Sequence, residues 1–227
     1  GERYPMIKAT DWVRNPEGKI IVDPVTGLPK AGDIVAVGTS DPTIRIGLNS
    51  VMKWKGFSLA ATFDYRGGHY TRPSSEYNML FTGASYISGI SGRQRFVFPN
   101  SVIAETDASG NVTYRENTDI TVNDAGKTFW NGIYKQGRAN QIISAASWRL
   151  RELSLGYDVP KKYLKKVGFL QRASVSLVGR NLFMWTPSTN IWGDPDFTGS
   201  GNGNVGGFSG TNNVGQRSYG FNLLLSF

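Results

Sequence analysis

The side chains that could carry out acid-base chemistry are few, and two of them lie in one short motif. Asp194 and Asp196 form a close carboxylate pair in the sequence GDPDF, and paired carboxylates are the acid and base of glycoside hydrolysis. Pro195 lies between them and favours a rigid turn instead. His69, the single histidine, follows a glycine pair at a predicted strand end, where we expect it to face solvent or a loop. Because no acid, base and nucleophile converge, we predict no catalytic residues and no enzyme activity.

The sequence also offers no site for a metal ion or a nucleotide cofactor. The absence of cysteine excludes disulfides and cysteine-based zinc sites, and one histidine cannot form a histidine cluster. Gly201, Gly203 and Gly206 have the GxGxxG spacing in GSGNGNVGG, but the flanking strand and helix of a dinucleotide site are missing. We interpret this segment as a flexible surface loop and predict that the chain binds no cofactor.

The composition is typical of a turn-rich β protein. Of 227 residues, 28 are glycine, and 12% are aromatic and 19% charged, whereas about 7% glycine is usual. The net charge is +8, but neither a nucleic-acid reader motif nor a basic face with interleaved aromatic residues is present. We therefore predict no nucleic acid partner. No run approaches the roughly 18 consecutive apolar residues that a membrane-spanning helix needs.

Five segments alternate between apolar and polar residues with a period of two, as strands with one apolar face do. They lie near residues 43–54, 57–66, 147–157, 173–185 and 217–227. In the third segment the alternation changes phase at Arg151-Glu152, which predicts a β-bulge. Each segment has the length that a tilted strand needs to cross a bilayer. Soluble β-sandwiches alternate in the same way, so the alternation alone does not decide between the two classes.

Aromatic residues at the strand ends favour a membrane barrel over a soluble sandwich. Membrane barrels carry aromatic girdles where their strands meet the two headgroup layers. The predicted girdle residues are Trp54, Phe57, Tyr65, Trp148, Tyr157, Phe183, Trp185, Tyr219 and Phe227. Aliphatic residues dominate the middles of the same strands.

The connections between these strands are alternately short and long. Short turns are predicted near residues 55–56 and 159–172, and long loops at 1–41, 67–145 and 186–216. Outer-membrane barrels have short periplasmic turns and long extracellular loops, so we assign the two sides accordingly. NPEGKIIV and TDASGNVTY read as hairpins within the long loops, which predicts that these loops are ordered.

Taken in order, several motifs resemble the C-terminal end of a SusC/RagA-type TonB-dependent transporter of the Bacteroidetes outer membrane. The motifs are SWRLRELSLGYDVPKKYLKKVGF, ASVSLVGRNLFMWT, GDPDF and the closing RSYGFNLLLSF, with IRIGLNSVMKWKGFSLAATFDYRGG and GKIIVDPVTGLPK nearer the start. The resemblance implies an all-β fold in which the chain supplies the final five antiparallel strands of a barrel of about 22 strands. The plug domain, the TonB-contacting segment and the signal peptide of the family are absent from this sequence, which suggests a fragment, a cleaved product or a partial chain.

The resemblance further implies a location, a transport function and a set of partners. The family imports an oligosaccharide or peptide across the outer membrane, with a SusD-like lipoprotein as a lid and energy from the TonB complex. The remainder of the barrel, the plug and membrane lipids would be further partners. A soluble all-β glycan-binding module and a passive structural or adhesive outer-membrane barrel remain as alternatives.

Three groups of residues are candidates for function within this scheme. Substrate contacts in the extracellular loops are expected from Trp192, Asp194, Phe197, Phe208, Tyr77, Phe81, Trp130 and Tyr134, although packing within the loops would also explain these residues. Residues expected to face the lumen and plug are Arg45, Asp64, Arg66, Arg149 and Arg180. The alternating Tyr219, Phe221, Leu223, Leu225 and Phe227 resemble the C-terminal signal of outer-membrane assembly.

A compact basic segment lies in the second short turn. Lys161, Lys162, Lys165 and Lys166 occur together in PKKYLKKVG. On the periplasmic side they would face anionic headgroups, where each charge contributes about 1 kcal/mol at low salt. A solvated turn helix explains the same residues.

Overall fold

A computed structural model describes residues 2–92, 94–122, 126–166, 168–196, 207–209 and 215–227. The predicted all-β fold is confirmed, since strands dominate these residues. The chain divides into two compact units. The loop unit comprises Gly1–Ser40, Tyr70–Ile143 and Thr198–Asn212, and the sheet unit comprises Asp41–His69, Ser144–Phe197 and Asn213–Phe227. Within the described ranges no helix is long and apolar enough to span a membrane.

The described chain contains fifteen strands, two short α-helices and four single helical turns. The strands are β1 Met6–Trp12, β2 Ile20–Ile21, β3 Ala31–Thr39, β4 Ile44–Trp54, β5 Phe57–Gly67, β6 Tyr70–Pro73, β7 Phe96–Val97, β8 Ser101–Thr106, β9 Val112–Glu116, β10 Thr121–Val122, β11 Ile143–Ser144, β12 Ser147–Asp158, β13 Arg172–Trp185, β14 Phe208–Ser209 and β15 Ser218–Ser226. The α-helices are α1 Ser74–Phe81 and α2 Lys161–Leu164. Single helical turns occupy Tyr86–Gly89, Phe129–Ile133, Tyr134–Gln136 and Arg138–Gln141.

The sheet unit is built on one five-stranded antiparallel sheet, in the order β15-β13-β12-β5-β4. Strands β4 and β5 form a hairpin through a two-residue turn. Lys55 and Gly56 in this turn both have positive φ, 46° and 89°. Two consecutive positive φ values favour the right-handed twist of a tight hairpin.

The predicted bulge in β12 is confirmed. The pairing register shifts between Leu150 and Glu152 against both neighbours, β5 and β13. Before the shift Arg149 pairs with Asp64, and after it Glu152 pairs with Thr62. Against β5 the extra residue is Arg151, whereas against β13 two residues, Asn181 and Leu182, lie opposite Arg151. The alternation of faces continues on both sides of Arg151.

Cross-strand pairing separates the side chains of the sheet into an apolar face and a polar face. The apolar face carries Ile46, Leu48, Met52, Trp54, Phe57, Leu59, Phe63, Tyr65, Trp148, Leu150, Leu153, Leu155, Tyr157, Val175, Leu177, Phe183, Trp185, Tyr219, Phe221, Leu223 and Leu225. The polar face carries Arg45, Asn49, Lys53, Ser58, Thr62, Asp64, Arg66, Ser147, Arg149, Glu152, Ser154, Ser174, Ser176, Arg180, Ser218 and Asn222, and apolar residues on it include Val51, Val178, Met184 and Leu224. The apolar face is open: Leu48 and Leu177 are each 57% exposed and Leu223 is 59% exposed.

Aromatic residues on the apolar face lie in two rows. Tyr65 and Trp148 are paired across β5 and β12 with ring centroids 4.6 Å apart, and Phe57 and Tyr157 are paired at the other end of the same strands, also at 4.6 Å. Tyr65 and Phe57 are eight residues apart on β5, which is roughly 27 Å along the strand. A tilt of about 40° reduces that to roughly 20 Å, close to the height of an apolar band between aromatic girdles.

Tyr219 lies at the start of β15, which is shorter than its neighbour β13. It pairs with Gly179, which in turn pairs with Leu153. Because tilted strands place paired residues at different heights, its girdle position stays a prediction.

The loop unit has its own small sheets and its own core. Strands β1 and β3 pair antiparallel, β8 and β9 form a hairpin, and β2 joins β8 in parallel. Both predicted hairpins are confirmed: the first turns at residues 15–18, and the second is β8-β9. A buried core of Trp12, Val22, Phe98, Ile103, Val122 and Phe129 holds these elements together. A core of this kind explains why segments without long strands adopt a fixed structure.

Candidate functional site

The carboxylate pair of GDPDF lies in a network of ion pairs at one end of the sheet. Arg149 Nη1 donates to Asp194 Oδ2 at 2.7 Å, and its Nη2 donates to Oδ1 of the same carboxylate. Arg149 Nε lies 3.3 Å from Asp196 Oδ2, close enough for an ion pair but not aligned for a hydrogen bond. The backbone N–H of Asp196 donates to Asp194 Oδ1 at 2.9 Å. The motif is thus a turn fastened to β12, as Pro195 suggested.

The network continues through two more arginines and a third carboxylate. Arg151 Nη2 bridges Asp64 Oδ2 at 2.6 Å and Asp196 Oδ2 at 2.7 Å. Arg66 adds longer ion pairs, 3.4 Å to Asp64 and 3.3 Å to Asp196. With three arginines and three aspartates the network has no net charge, so its members compensate one another.

Burial makes this network costly to break and unsuited to acid-base catalysis. The Arg149 side chain is only 6% exposed and that of Asp194 15% exposed. Burial alone would raise the pKa of Asp194, but the hydrogen bonds from Arg149 and from the Asp196 backbone outweigh it and lower the pKa. Asp194 therefore stays ionised and paired, and cannot serve as a proton donor near neutral pH.

Sequence reasoning missed Arg151, although it found the bulge. Alternation places residues 149 and 151 on the same side of a strand, and the extra residue then lets Glu152 face that side as well. The phase change at Arg151-Glu152 was therefore the signal for a third polar side chain on this face.

The other predicted lumen-facing residues lie on the polar face without joining the network. Arg45 is exposed and is paired in register with Arg66. Arg180 Nε donates to Glu152 at 2.9 Å, with side chains 64% and 43% exposed. Only Asp64, Arg66 and Arg149 of the predicted set are brought together.

A cavity of about 270 Å³ opens beside this network, within the sheet unit. It is lined by Arg149, Arg151, Asn181, Phe183, Met184, Asp194, Asp196, Gly215 and Arg217. The lining combines hydrogen-bonding groups with apolar ones, as ligand sites do.

His69 does not face solvent, so of the two environments expected from the sequence, solvent or a loop, only the loop remains. It is 8% exposed, and its backbone carbonyl accepts a hydrogen bond from the Ala145 N–H. Burial lowers its pKa, with a partial offset from the Asp196 charge. The chain that follows Gly67 and Gly68 is therefore packed against other residues and is not exposed at this point.

The predicted substrate-binding residues are divided between the two units. In the sheet unit, Trp192 is half-buried and its backbone N–H donates to Asn190 Oδ1. Phe197 lies outside the described residues. In the loop unit, Trp130 and Tyr134 pack against the core, each within 6 Å of the Phe129 ring. Packing therefore accounts for these two aromatic residues.

Tyr77, Phe81 and Phe208 lie nearer to solvent in the loop unit. Tyr77 and Phe81 lie on α1 with ring centroids 5.8 Å apart, and Phe81 is 49% exposed. Phe208 lies under Arg72, whose guanidinium carbon is 4.9 Å from the ring centroid. Arg72 also lines a cavity that the sequence did not predict.

Three cations surround a cavity of about 130 Å³ at the start of α1. We call it the basic pocket; it is lined by Arg72, Pro73, Ser74, Tyr77, Lys135, Arg138 and Gln141. Arg72 lies on β6, Ser74 begins α1, and Lys135 and Arg138 belong to two consecutive helical turns. No sequence motif indicates this pocket, because Arg72 is far along the chain from Lys135 and Arg138.

A buried carboxyl group lies behind this pocket. Glu76 is 5% exposed and accepts a hydrogen bond from the Tyr134 hydroxyl at 2.5 Å. Burial raises the pKa of Glu76 to about 7, against the opposing effects of the Tyr134 hydrogen bond and the Arg72 charge. Burial and the neighbouring Glu76 also raise the pKa of Tyr134. Glu76 therefore changes charge near neutral pH.

The C-terminal strand and the lysine segment have simple environments. Tyr219, Phe221, Leu223 and Leu225 lie on the apolar face, and Phe227 follows β15 with its ring stacked on Phe169 at 6.0 Å. Lys161 and Lys162 lie in α2, and Lys165 and Lys166 follow it; all four are exposed, while Leu164 between them is buried. No group of His, Asp and Glu side chains that could hold a metal ion occurs in the described ranges.

Comparison with known proteins finds structural similarity but no sequence match. No protein-family profile matches the chain, and no curated protein does. A solved structure described as the RagAB peptide transporter has a TM-score of 0.61 and 17% identity, covering 98% of this chain and 23% of that chain. The RagAB peptide importer in its closed-closed state gives a TM-score of 0.56 and 17% identity, covering 97% and 23%.

The open-open state of the same importer gives a TM-score of 0.56 and 18% identity, covering 97% of this chain and 22% of that chain. The chain thus shares its fold with part of these structures, and it spans less than a quarter of their length.

Proposed function

We propose that this chain is part of an outer-membrane barrel that imports a nutrient, an oligosaccharide or a peptide, with a SusD-like surface lipoprotein as its lid. In this proposal the five strands of the sheet cross the bilayer and the polar face lines the lumen. The chain is not an enzyme. We propose that its strands form part of the barrel wall. Its loops would lie at the extracellular opening of the barrel and contribute ligand contacts.

The observation that carries this proposal is the two-faced sheet. Apolar side chains such as Leu48 and Leu177 stand 57% exposed on one face, while the other carries serines, threonines and paired charges. In water so large an apolar patch would lead to association, whereas in a bilayer it is the surface that lipid requires. The aromatic rows at both ends of the strands support the same interpretation.

The free edges of the sheet support a larger assembly. Among the strands that the structure describes, β4 and β15 each have a neighbour on one side only. Unpaired backbone groups are not tolerated in lipid, so each edge needs a further strand. We propose that these strands, a plug and the TonB-contacting segment belong to the remainder of the transporter, as in the family that the sequence resembles.

The import function is inferred from this membrane arrangement together with the similar solved structures. Those structures are of a peptide importer, RagAB, which favours a peptide over an oligosaccharide as the ligand. A soluble glycan-binding module would not leave its apolar face open to water. A passive barrel would lack a plug and a TonB-contacting segment upstream of these strands.

A gel experiment tests whether the chain belongs to a closed barrel. The intact polypeptide that carries these residues is extracted in mild detergent and run with and without boiling. We expect the unboiled protein to migrate faster, because a large barrel stays compact in the gel. Identical migration before and after boiling, or purification as a monomer without detergent, would contradict the proposal.

A second experiment tests whether import depends on energy supplied through TonB. Cells carrying the intact polypeptide and its neighbouring lipoprotein should accumulate a labelled peptide mixture, and removal of the TonB-contacting segment should abolish accumulation. Uptake that persists without that segment would favour a passive barrel.

A further inference from the structure

We propose that the basic pocket of the loop unit binds a carboxylate group of the ligand. That the bound carboxylate belongs to the imported ligand rests on the proposed function. That the pocket binds a carboxylate rests only on the residues of the pocket. The shared chemistry is a single carboxylate, which an acidic peptide or an acidic sugar could supply.

Within the part of the chain that the structure describes, no ion pair compensates the positive charge of the pocket. Among the described residues, neither Arg72 nor Lys135 nor Arg138 forms an ion pair with a carboxylate, whereas many other basic side chains of the chain do. Arg138 Nε donates only to the Lys135 carbonyl, at 3.1 Å. Three cations around one cavity repel one another, and an anion between them would remove that repulsion.

Arg72 is held in place before any ligand arrives. Its guanidinium lies over the Phe208 ring at 4.9 Å, and its buried Nε has no hydrogen-bond partner. Burial and the nearby Arg138 lower the pKa of Arg72, with an opposing effect from Glu76. A guanidinium that is stacked and short of acceptors is suited to a carboxylate.

The start of α1 adds backbone donors to the same cavity. Pro73 is the N-cap of this eight-residue helix and provides no side-chain cap, so the first N–H groups of the helix have no intrahelical acceptor. Pro73 and Ser74 both line the cavity. The helix N-terminus contributes partial positive charge, which supports the side-chain cations.

The size of the pocket limits the group that can enter. About 130 Å³ holds a carboxylate and a short stem, whereas drug-sized ligands need roughly 300 Å³ or more. The remaining lining adds one flat surface, the ring of Tyr77, whose hydroxyl already donates to the Asn131 carbonyl at 3.1 Å. Gln141 is 3% exposed and its Nε2 donates to the Tyr134 carbonyl at 2.8 Å, so the donors for a ligand are the three cations and the start of α1. The pocket would thus hold one acidic side chain or one acidic substituent of a longer ligand.

The test measures binding of small carboxylates to the intact polypeptide in detergent by calorimetry. The probes are N-acetylaspartate amide for a peptide and glucuronate for a sugar, each compared with its neutral counterpart, N-acetylasparagine amide or glucose. The variant Lys135→Gln/Arg138→Gln removes two exposed cations and should leave the fold intact. Lys19→Gln/Lys127→Gln removes the same charge elsewhere in the loop unit.

We expect saturable binding of at least one carboxylate and none of its neutral counterpart. The Lys135→Gln/Arg138→Gln variant should bind about tenfold more weakly or worse, because hydrogen bonds to charged groups are being removed. The control variant should bind as the wild type does. Preference between the two carboxylates assigns the ligand class.

Three results would overturn the inference: no saturable binding of either carboxylate, equal binding of the neutral compounds, or unchanged binding by the pocket variant. The faster migration of the unboiled protein is recorded on the same samples. Failure of binding with that migration intact rejects only the pocket, whereas binding without that migration rejects the barrel and keeps the anion site.

Discussion

Arg149 is the residue on which the packing of the GDPDF turn depends. It contacts both Asp194 and Asp196 and is 6% exposed at the side chain. Replacing it with alanine leaves two partly buried carboxylates short of a partner, and breaking a buried ion pair in this way costs about 3 to 5 kcal/mol. The loss should appear at Asp194, whose carboxylate is paired with Arg149, whereas Asp196 keeps its contacts with Arg151 and Arg66.

Hydrogen exchange of the backbone at residues 193–196 measures that loss in the intact polypeptide. We expect Arg149→Ala to remove most of the protection of this turn. Arg180→Ala is the matched control, because its ion pair with Glu152 is exposed and such pairs contribute about 0 to 1 kcal/mol. Equal protection in the wild type and Arg149→Ala would show that the network does not hold the turn.

Glu76 makes the stability of α1 depend on pH. Its pKa is raised by burial to about 7 in the folded protein, from 4.5. The folded state therefore holds its proton more tightly than the unfolded state, so the stabilisation is complete below pH 4.5 and is lost as pH rises through about 7. Protection of residues 74–81, corrected for intrinsic exchange, should fall between pH 5.5 and pH 8.5.

Glu76→Gln provides the comparison for this prediction. The amide keeps an acceptor for the Tyr134 hydroxyl but cannot ionise. We expect protection in this variant to be independent of pH and to exceed that of the wild type at pH 8.5. A wild-type protection that is constant from pH 5.5 to pH 8.5 would contradict the raised pKa.

At the scale of elements, the regular features of the sheet were predictable from the sequence. A period of two fixes which residues share a face, and a change of phase can only be accommodated by an extra residue, so β12 and its bulge followed from the pattern at Arg151-Glu152. The stagger between strands is set by pairing rather than by the pattern within one strand. For that reason the pairing of Tyr219 with Gly179 did not follow from the sequence.

The long loops were far less predictable, because their contacts join residues distant in sequence. The hairpins at residues 15–18 and in β8-β9 have local turn signals. The basic pocket has none, since Arg72 and Arg138 meet only after the loop unit has folded around its core. Aromatic residues were visible in the sequence, but whether each would pack, as Trp130 does, or remain accessible, as Phe81 does, depends on that core.

The lysine segment at α2 gives a prediction for one element. Lys161, Lys162, Lys165 and Lys166 are exposed beside Leu164, which is buried. If they face an anionic leaflet, each contributes about 1 kcal/mol to lipid attraction. Replacing all four with glutamine should reduce the anionic lipid retained by the intact polypeptide in native mass spectrometry.

The control for this experiment replaces the same number of lysines in the loop unit, at Lys8, Lys19, Lys30 and Lys127. These should have no effect on retained lipid. Equal retention by the α2 variant and the wild type would favour a solvated turn helix for this segment.

At the scale of the whole molecule, the exposed apolar face and the unpaired edges of the sheet require that it form part of a larger β-barrel. Its apolar face has no protein covering among the described residues of the sheet unit, and its two edge strands, β4 and β15, each lack a neighbour. Lipid satisfies the first requirement and further strands satisfy the second. The loop unit adds a folded body with its own core, in which the proposed carboxylate pocket lies.

Accessibility along β13 tests this central claim most directly. These 227 residues contain no cysteine, so single cysteines at positions 174 to 178 are the only labelling sites within them. Any cysteine elsewhere in the intact polypeptide is replaced before spin-labelling in a bilayer. We predict that labels at positions 175 and 177 contact lipid-soluble oxygen, whereas labels at 174, 176 and 178 contact a water-soluble nickel complex. Equal access of the nickel complex at all five positions would contradict the account.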